Sequence, residues 1–234
     1  EANVDINRNV RDFSAGLPSS QAYEEVHPFL IPEDWEGPSR VDADQLLQDF
    51  VQTRGLRALQ VAVSVGQYTR PTGLFYGGTK LSWSNLTLRR ILDEHMPSRT
   101  HRLVALDIHS GLGPPGYCEP VYIGGQDDAF ERARGWYGPE VRCTEHENSV
   151  SAAVTGSVLE GLGTSAEEVT PIALEFGTQP MLMVLAALRA DHWLHAFPDR
   201  WAAYDVDKRN GIQRQIRDAF YVDIPWWKAG VYGR

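Results

Sequence analysis

Two apolar runs of strand length constrain this chain more than any other feature, because each ends in a polar group and a glycine turn. The first is Leu103-Val104-Ala105-Leu106-Asp107-Ile108-His109, followed by Ser110-Gly111-Leu112-Gly113-Pro114-Pro115-Gly116. The second is Thr170-Pro171-Ile172-Ala173-Leu174-Glu175-Phe176, followed by Gly177-Thr178. Near-continuous apolar runs of this length predict strands covered on both faces. A third short strand is predicted over 119–123. Helical periodicity surrounds them over 45–54, 56–65, 84–95, 127–136, 180–194 and 205–221. The 56–65 run also fits a strand through Val61, Val63 and Val65, and helix is the preferred reading. Asp42 or Asp44 is the expected cap of the first helix and Ser84 of the third, which Pro97 ends. Strands alternating with helices give an α/β fold with a mixed, mostly parallel central sheet and helices on both faces. The first forty residues, punctuated by Pro18, Pro28, Pro32 and Gly37-Pro38, read as an extended segment on the surface.

Composition narrows function by exclusion. Lys plus Arg number 22 against 31 Asp plus Glu, a formal charge of −9, which argues against nucleic acid as partner. One buried Arg can still build a local site for an anion. No apolar run approaches the ~20 residues of a membrane span. Cys118 and Cys143 are too few for a disulfide scaffold and lack zinc-site spacing; buried thiols are favoured over a bridge. The start carries no signal-peptide pattern, so a soluble protein is expected, cytoplasmic rather than secreted.

In open α/β sheets ligands bind beyond the carboxyl ends of the strands, which singles out His109 and Glu175. Neutral imidazole binds metals, and a nearby carboxylate can serve as general base. Asp107 lies on the same strand face as His109 and could orient its ring. A third feature, Asn3-Val4-Asp5-Ile6-Asn7-Arg8-Asn9, sets an Arg between two Asn side chains, a donor set suited to a carboxylate. Each feature also has a structural reading: a satisfied strand-end His, a helix-capping Glu, a polar turn in which Asn and Asp bond their own backbone.

Together and in this order, the three features resemble the carboxypeptidase-A-like zinc peptidases. The matching stretches are Val4-Asp5-Ile6-Asn7-Arg8-Asn9, Asp107-Ile108-His109-Ser110 and Ala173-Leu174-Glu175-Phe176-Gly177-Thr178. The chain looks closest to a mainly bacterial branch of uncharacterised carboxypeptidase-like proteins. Loops 66–78 and 111–117 and the segment 83–90 extend the resemblance from Asn3 to about His195. It implies a carboxypeptidase/phosphorylase-like fold spanning 1–234 as a single domain, with His109 a zinc ligand and Glu175 the catalytic base. Asn7 and Arg8 would hold the substrate's terminal carboxylate, and the loop from Tyr68 to Tyr76 would form part of the pocket wall. The implied substrates are peptides or N-acyl amino acids.

One departure is substantial. The family's His-x-x-Glu, which supplies two zinc ligands, and an upstream Arg that polarises the scissile carbonyl have no counterpart here. Glu145-His146-Glu147 has the wrong spacing, and His192-x-x-His195 reads as packing or helix-end residues. The expected domain is therefore N-terminally incomplete, with an unpaired sheet edge and exposed core. Zinc would bind only if the missing motif is supplied, by a longer chain or a second polypeptide. The alternative is a non-catalytic carboxypeptidase-like subunit of a larger assembly.

Overall fold

The computed structural model describes residues 3–96, 101–124, 126–145, 149–163, 165–202 and 204–233. Two 3-10 turns (Ile6–Arg8 and Phe13–Ala15) precede α1 (Gln21–Leu30), α2 (Pro38–Arg54), α3 (Leu56–Ser64) and α4 (Trp83–His95). Next come β1 (Arg102–Gly111), β2 (Cys118–Tyr122), α5 (Asp127–Tyr137), β3 (Arg142–Cys143), α6 (Val158–Gly161) and β4 (Glu168–Gly177). The chain closes with α7 (Met181–Ala196), α8 (Pro198–Trp201), α9 (Val206–Phe220) and α10 (Pro225–Tyr232).

The described strands form one sheet in the order β1-β4-β2-β3. β1 pairs parallel with β4 and β2 parallel with β3, while β2 and β4 run antiparallel, so the sheet is mixed and mostly parallel. β4 is the central strand, and eight of its ten residues are buried. Its Ile172, Leu174 and Phe176 face a layer formed by α5 and α10 through Ala129, Ala133 and Trp227. Val169 and Ala173 point the other way, onto Leu159 and Leu162 in and beside α6 and onto Leu92 of α4. Helices thus cover both faces, as expected of an α/β chain. A second core joins α1, α2, α3 and α7 through Tyr23, Val26, Leu30, Leu59, Val63 and Leu185. Among the described residues no helix is long and apolar enough to cross a membrane.

β1 differs from expectation. It is an edge strand, and it buries only the end that carries Gly111. Val104, Leu106 and Ile108 are 46%, 55% and 69% exposed; they share the face that α5 and α10 cover over β4, but those helices do not reach them. An apolar run reads the same whether its second face is covered or open, which is why this strand looked central.

The N-terminal forty residues are not merely extended. Ser20 accepts from the Tyr23 N–H and starts α1, whose Tyr23, Val26 and Leu30 are fully buried. α2 begins at Pro38, with its fixed φ at the first helical position, so Asp42 and Asp44 lie inside the helix instead of capping it. Ser82, not Ser84, caps α4. α3 is a helix, with Leu59, Ala62 and Val63 inward. Pro97 lies outside the described residues. Cys118 and Cys143 are both buried thiols.

One buried charge ties the helices together. Arg189 of α7 is 2% exposed and donates to the carbonyls of Leu30 and Phe29, the unpaired C-terminal carbonyls of α1. Its Nη1 pairs with Asp44 at 2.8 Å. Burial raises the Asp44 carboxyl, but hydrogen bonds from Arg189 and Arg40 outweigh it and hold the group below its ordinary value. Replacing Arg189 by Ala strands both carbonyls and is expected to cost roughly 2–4 kcal/mol, read from the urea midpoint. Asp44→Asn is expected to lose under about 1 kcal/mol, because Asp44 is partly solvated. A carboxyl held low stabilises the fold above its unfolded value, and that contribution disappears as pH falls through the folded value. The gap between wild type and Asp44→Asn should therefore close in acid; a gap that widens there would contradict the pairing.

Candidate functional site

The parallel register of β1 and β4 sets His109 directly beside Glu175, and the antiparallel register of β2 sets Glu119 on the other side. Residues paired across strands share a face, so imidazole and two carboxylates form one row at the carboxyl ends of β1 and β4. Asp107, two residues before His109, points the same way. The 3-10 turn Ile6–Arg8 meets this face from the side, and α3 and α7 wall it opposite. The result is a cleft of about 320 Å³, within the range of small-molecule sites. Asn7, Arg8, Asp107, His109 and Glu175 all line it, although they come from widely separated parts of the chain.

Glu175 is buried, and its Oε1 accepts from the Leu112 N–H at 3.0 Å. That contact leaves Oε2 available to the cleft. Burial pushes its carboxyl above the ordinary range, with Glu119 adding to the rise, while the Leu112 N–H and His109 pull it back. Glu119 is a buried carboxylate that the sequence reading did not single out. It accepts from the Ser149 hydroxyl and the Val150 N–H and so holds the 149–150 segment near the cleft. A Glu inside a short strand otherwise made of Cys, Pro, Val and Tyr was the available signal. His109 donates from Nε2 to Asp107 Oδ2 at 2.8 Å. That bond lifts the imidazole above its ordinary value despite partial burial.

Arg8 is buried, and desolvation lowers its guanidinium from its usual value while Asp5 opposes that shift from 3.6 Å. Nε and Nη2 donate to the Ser64 carbonyl at the end of α3, and Nη1 donates to the Asn7 carbonyl. A guanidinium has five N–H groups, so one on Nη1, near Asp5, and one on Nη2 make no hydrogen bond among the described residues. The Asn7 Oδ1 accepts from the Val158 N–H at the start of α6, which leaves its Nδ2 as the second donor on the cleft wall. Asn9 plays a different part from the one its position beside Arg8 suggested. Fully buried, it donates to the Gly77 and Lys80 carbonyls and accepts from the Ser82 N–H and Asn85 Nδ2, so its polar atoms are saturated.

Of the loop from Tyr68 to Tyr76, Phe75 reaches the cleft. It sits 5.4 Å from the Arg8 guanidinium, with φ at +51°, a region that bulky residues rarely adopt. The Tyr68 hydroxyl donates to the Arg8 carbonyl. Beyond the charged row the cleft is apolar: Leu59 and Val63 from α3 face Met181, Leu185 and Leu188 from α7.

Metal binding is limited by the donor set. Among the described residues no group of three or more His, Cys, Asp or Glu side chains is placed to hold an ion. The His192-x-x-His195 pair does not make one: His192 Nε2 donates to the Thr72 carbonyl, and His195 is exposed beside Asp191. His146 and Glu147 lie outside the described residues.

Gly66 is required where the chain passes Arg8. Its φ is +91°, and a Cβ there would stand 2.7 Å from Arg8 Cδ. Gly66→Ala is expected to cost roughly 1–3 kcal/mol through overpacking and backbone strain, measured by urea unfolding. Unchanged stability would contradict this placement.

No curated protein and no solved structure matches the chain. The family described as Protein of unknown function (DUF2817) matches residues 1–234, and the chain belongs to that family.

Proposed function

We propose that this chain carries the carboxylate-binding and base-bearing part of a carboxypeptidase-like hydrolase, which cleaves an amide bond next to a free carboxylate. The observation that carries this reading is the meeting of Arg8, Asn7, His109 and Glu175 in one cleft, with the carboxyl of Glu175 raised by burial. In this reading the free N–H groups of Arg8 and the Asn7 Nδ2 hold the substrate carboxylate by charge-assisted hydrogen bonds. The side chain beside it lies against Leu59, Val63 and Leu185. Glu175 Oε2 takes a proton from the attacking water and returns it to the leaving amine, so that acid and amine are formed with no net proton change. Peptides and N-acyl amino acids both present the required amide and carboxylate.

Zinc is part of the family resemblance, and the described residues alone do not fit it. A catalytic zinc takes three protein ligands, whereas this site offers one imidazole with a carboxylate already bonded to it. Zinc belongs to the reading only where a His-x-x-Glu pair is supplied from outside these residues.

A second reading has its own support. The uncovered apolar face of β1 favours a non-catalytic subunit whose edge strand is covered within a larger assembly. Stoichiometric zinc in the native protein would defeat that reading.

Titrating the chain with an N-acyl amino acid in a calorimeter tests the first reading at its binding step. Arg8→Gln is expected to weaken binding about 10–100-fold, the effect of losing a charged hydrogen-bond donor. The corresponding carboxamide should bind no better to wild type than the acid does to Arg8→Gln. In protein with a complete site, Glu175→Gln should lower kcat by about 10²–10⁴ and leave binding of the acid within about threefold. Equal binding of acid and carboxamide, or retained turnover in Glu175→Gln, would remove the hydrolase reading.

A further inference from the structure

We infer that Phe220, the last residue of α9, is a specificity-determining residue of the cleft, selecting substrates with a flat apolar group on the acyl side of the amide. α9 and α10 follow the stretch over which the chain resembles the carboxypeptidase-like proteins, so the resemblance assigns them no role. The end of α9 is nevertheless built into the site. The last four carbonyls of a helix have no partner within it. Here the Arg217 carbonyl accepts from the Tyr221 N–H, and the next three accept from side chains at the carboxyl ends of β1 and β4. Gln179 Nε2 donates to the Asp218 carbonyl at 2.9 Å. The buried Thr178 hydroxyl donates to the Ala219 carbonyl at 2.6 Å, and the Ser110 hydroxyl to the Phe220 carbonyl at 2.7 Å. In α10 the buried Trp227 indole adds a fourth bond, to the Gly177 carbonyl at 2.9 Å.

These bonds fix where the Phe220 ring stands. It is half-buried and lines the cleft. A Cβ at Gly111, whose φ is +139°, would lie 3.0 Å from Phe220 Cε1 and 3.9 Å from Glu175 Oε1. Ring and carboxylate thus approach one point beside the Gly111 backbone, and the absence of a side chain there lets the ring come so close. Arg8 is enclosed elsewhere, by Ser64, Gly66 and Phe75. With the substrate carboxylate at Arg8 and its amide at Glu175, the acyl group is the part that meets Phe220. An aromatic ring offers a flat apolar face, and one carried on a backbone already held in place costs little ordering when a ligand binds.

This inference rests on the hydrolase reading and deepens it by naming the acyl side of the substrate. Calorimetric titration of the full 234-residue chain compares the N-benzoyl and N-acetyl forms of one amino acid. Wild type should bind the benzoyl form more tightly, and Phe220→Ala should lower that preference roughly three- to tenfold, the size of one aromatic contact. Binding of the acetyl form should stay within about twofold, because a methyl group presents no ring to stack. Phe220→Tyr, which keeps the ring, should retain the preference. A second measurement decides where Phe220→Ala does not fold. In wild type labelled with ¹³C-phenylalanine, a nuclear Overhauser effect should connect the benzoyl protons to the Phe220 ring, whose resonances are assigned by their loss in Phe220→Leu. A preference unchanged in Phe220→Ala, or benzoyl protons with no contact to that ring, overturns the inference and leaves the hydrolase reading standing where binding still depends on Arg8. Binding of both acids that is absent, or indifferent to Arg8→Gln, removes that reading and the inference with it.

Discussion

The pairing of β4 with β1 on one side and β2 on the other is the constraint from which the site follows. Strand pairing leaves no freedom in which residues stand side by side, and a slip of one residue would turn Glu175 to the opposite face. That face is filled by α5 and α10, with Trp227 and Phe176 in contact, and has no place for a carboxylate. The burial of Ile172 and Phe176 therefore fixes the register, and the register places Glu175 between His109 and Glu119. The row of His109, Glu175 and Glu119 is in this sense a by-product of apolar packing on the other side of the same strand.

A buried guanidinium demands a comparable degree of order. Arg8 loses most of its hydration, and neutral carbonyls from Ser64 and Asn7 replace it, together with the Asp5 carboxylate. These partners engage three of the five N–H groups, and the Asp5 carboxylate stands at ion-pair distance from Nη1. The surrounding loop bears the strain. Phe75 takes a left-handed backbone conformation where the chain packs around Arg8, and such an outlier persists only where neighbouring contacts over-determine it, whereas Gly66 takes its positive φ freely. Asn9, saturated by four hydrogen bonds, supplies much of that determination by joining the turn to residues 77–85.

The parts of this molecule that were legible in the sequence are those where burial is nearly complete. β4 carries a nearly unbroken apolar stretch because it is enclosed, and Glu175 stands out against that background near its carboxyl end. His109 ends a similar run on β1, which is only half covered, and the strand register brings the two together. Where one residue type serves two environments, the sequence misleads. Val104, Leu106 and Ile108 have strand propensity whether or not anything covers them, so an exposed edge was read as a core strand. In the first forty residues proline and glycine suggested a loop, yet a ten-residue helix fits between Ser20 and Ile31 and buries four side chains. Asn9 and Asn7 look equivalent on either side of Arg8, and only the direction of their hydrogen bonds separates a scaffold residue from a candidate ligand donor.

The two functional readings place their demands on the same strand, but on different surfaces of it. A hydrolase needs further metal ligands on the His109 face, since Asp107 already occupies one imidazole nitrogen and Glu175 is held by Leu112. A structural subunit needs cover for the Val104, Leu106 and Ile108 face, where hydrophobic hydration is otherwise left in place. An edge strand of ten residues without lysine, or proline to block pairing, is open to addition of another strand. A strand added there would continue the sheet, lie beside His109 at its carboxyl end, and shield the apolar trio with its own side chains. One structural event could thus satisfy both demands, so coverage of the β1 edge alone cannot discriminate between the readings. The chemistry of the row His109, Glu175 and Arg8 must do so.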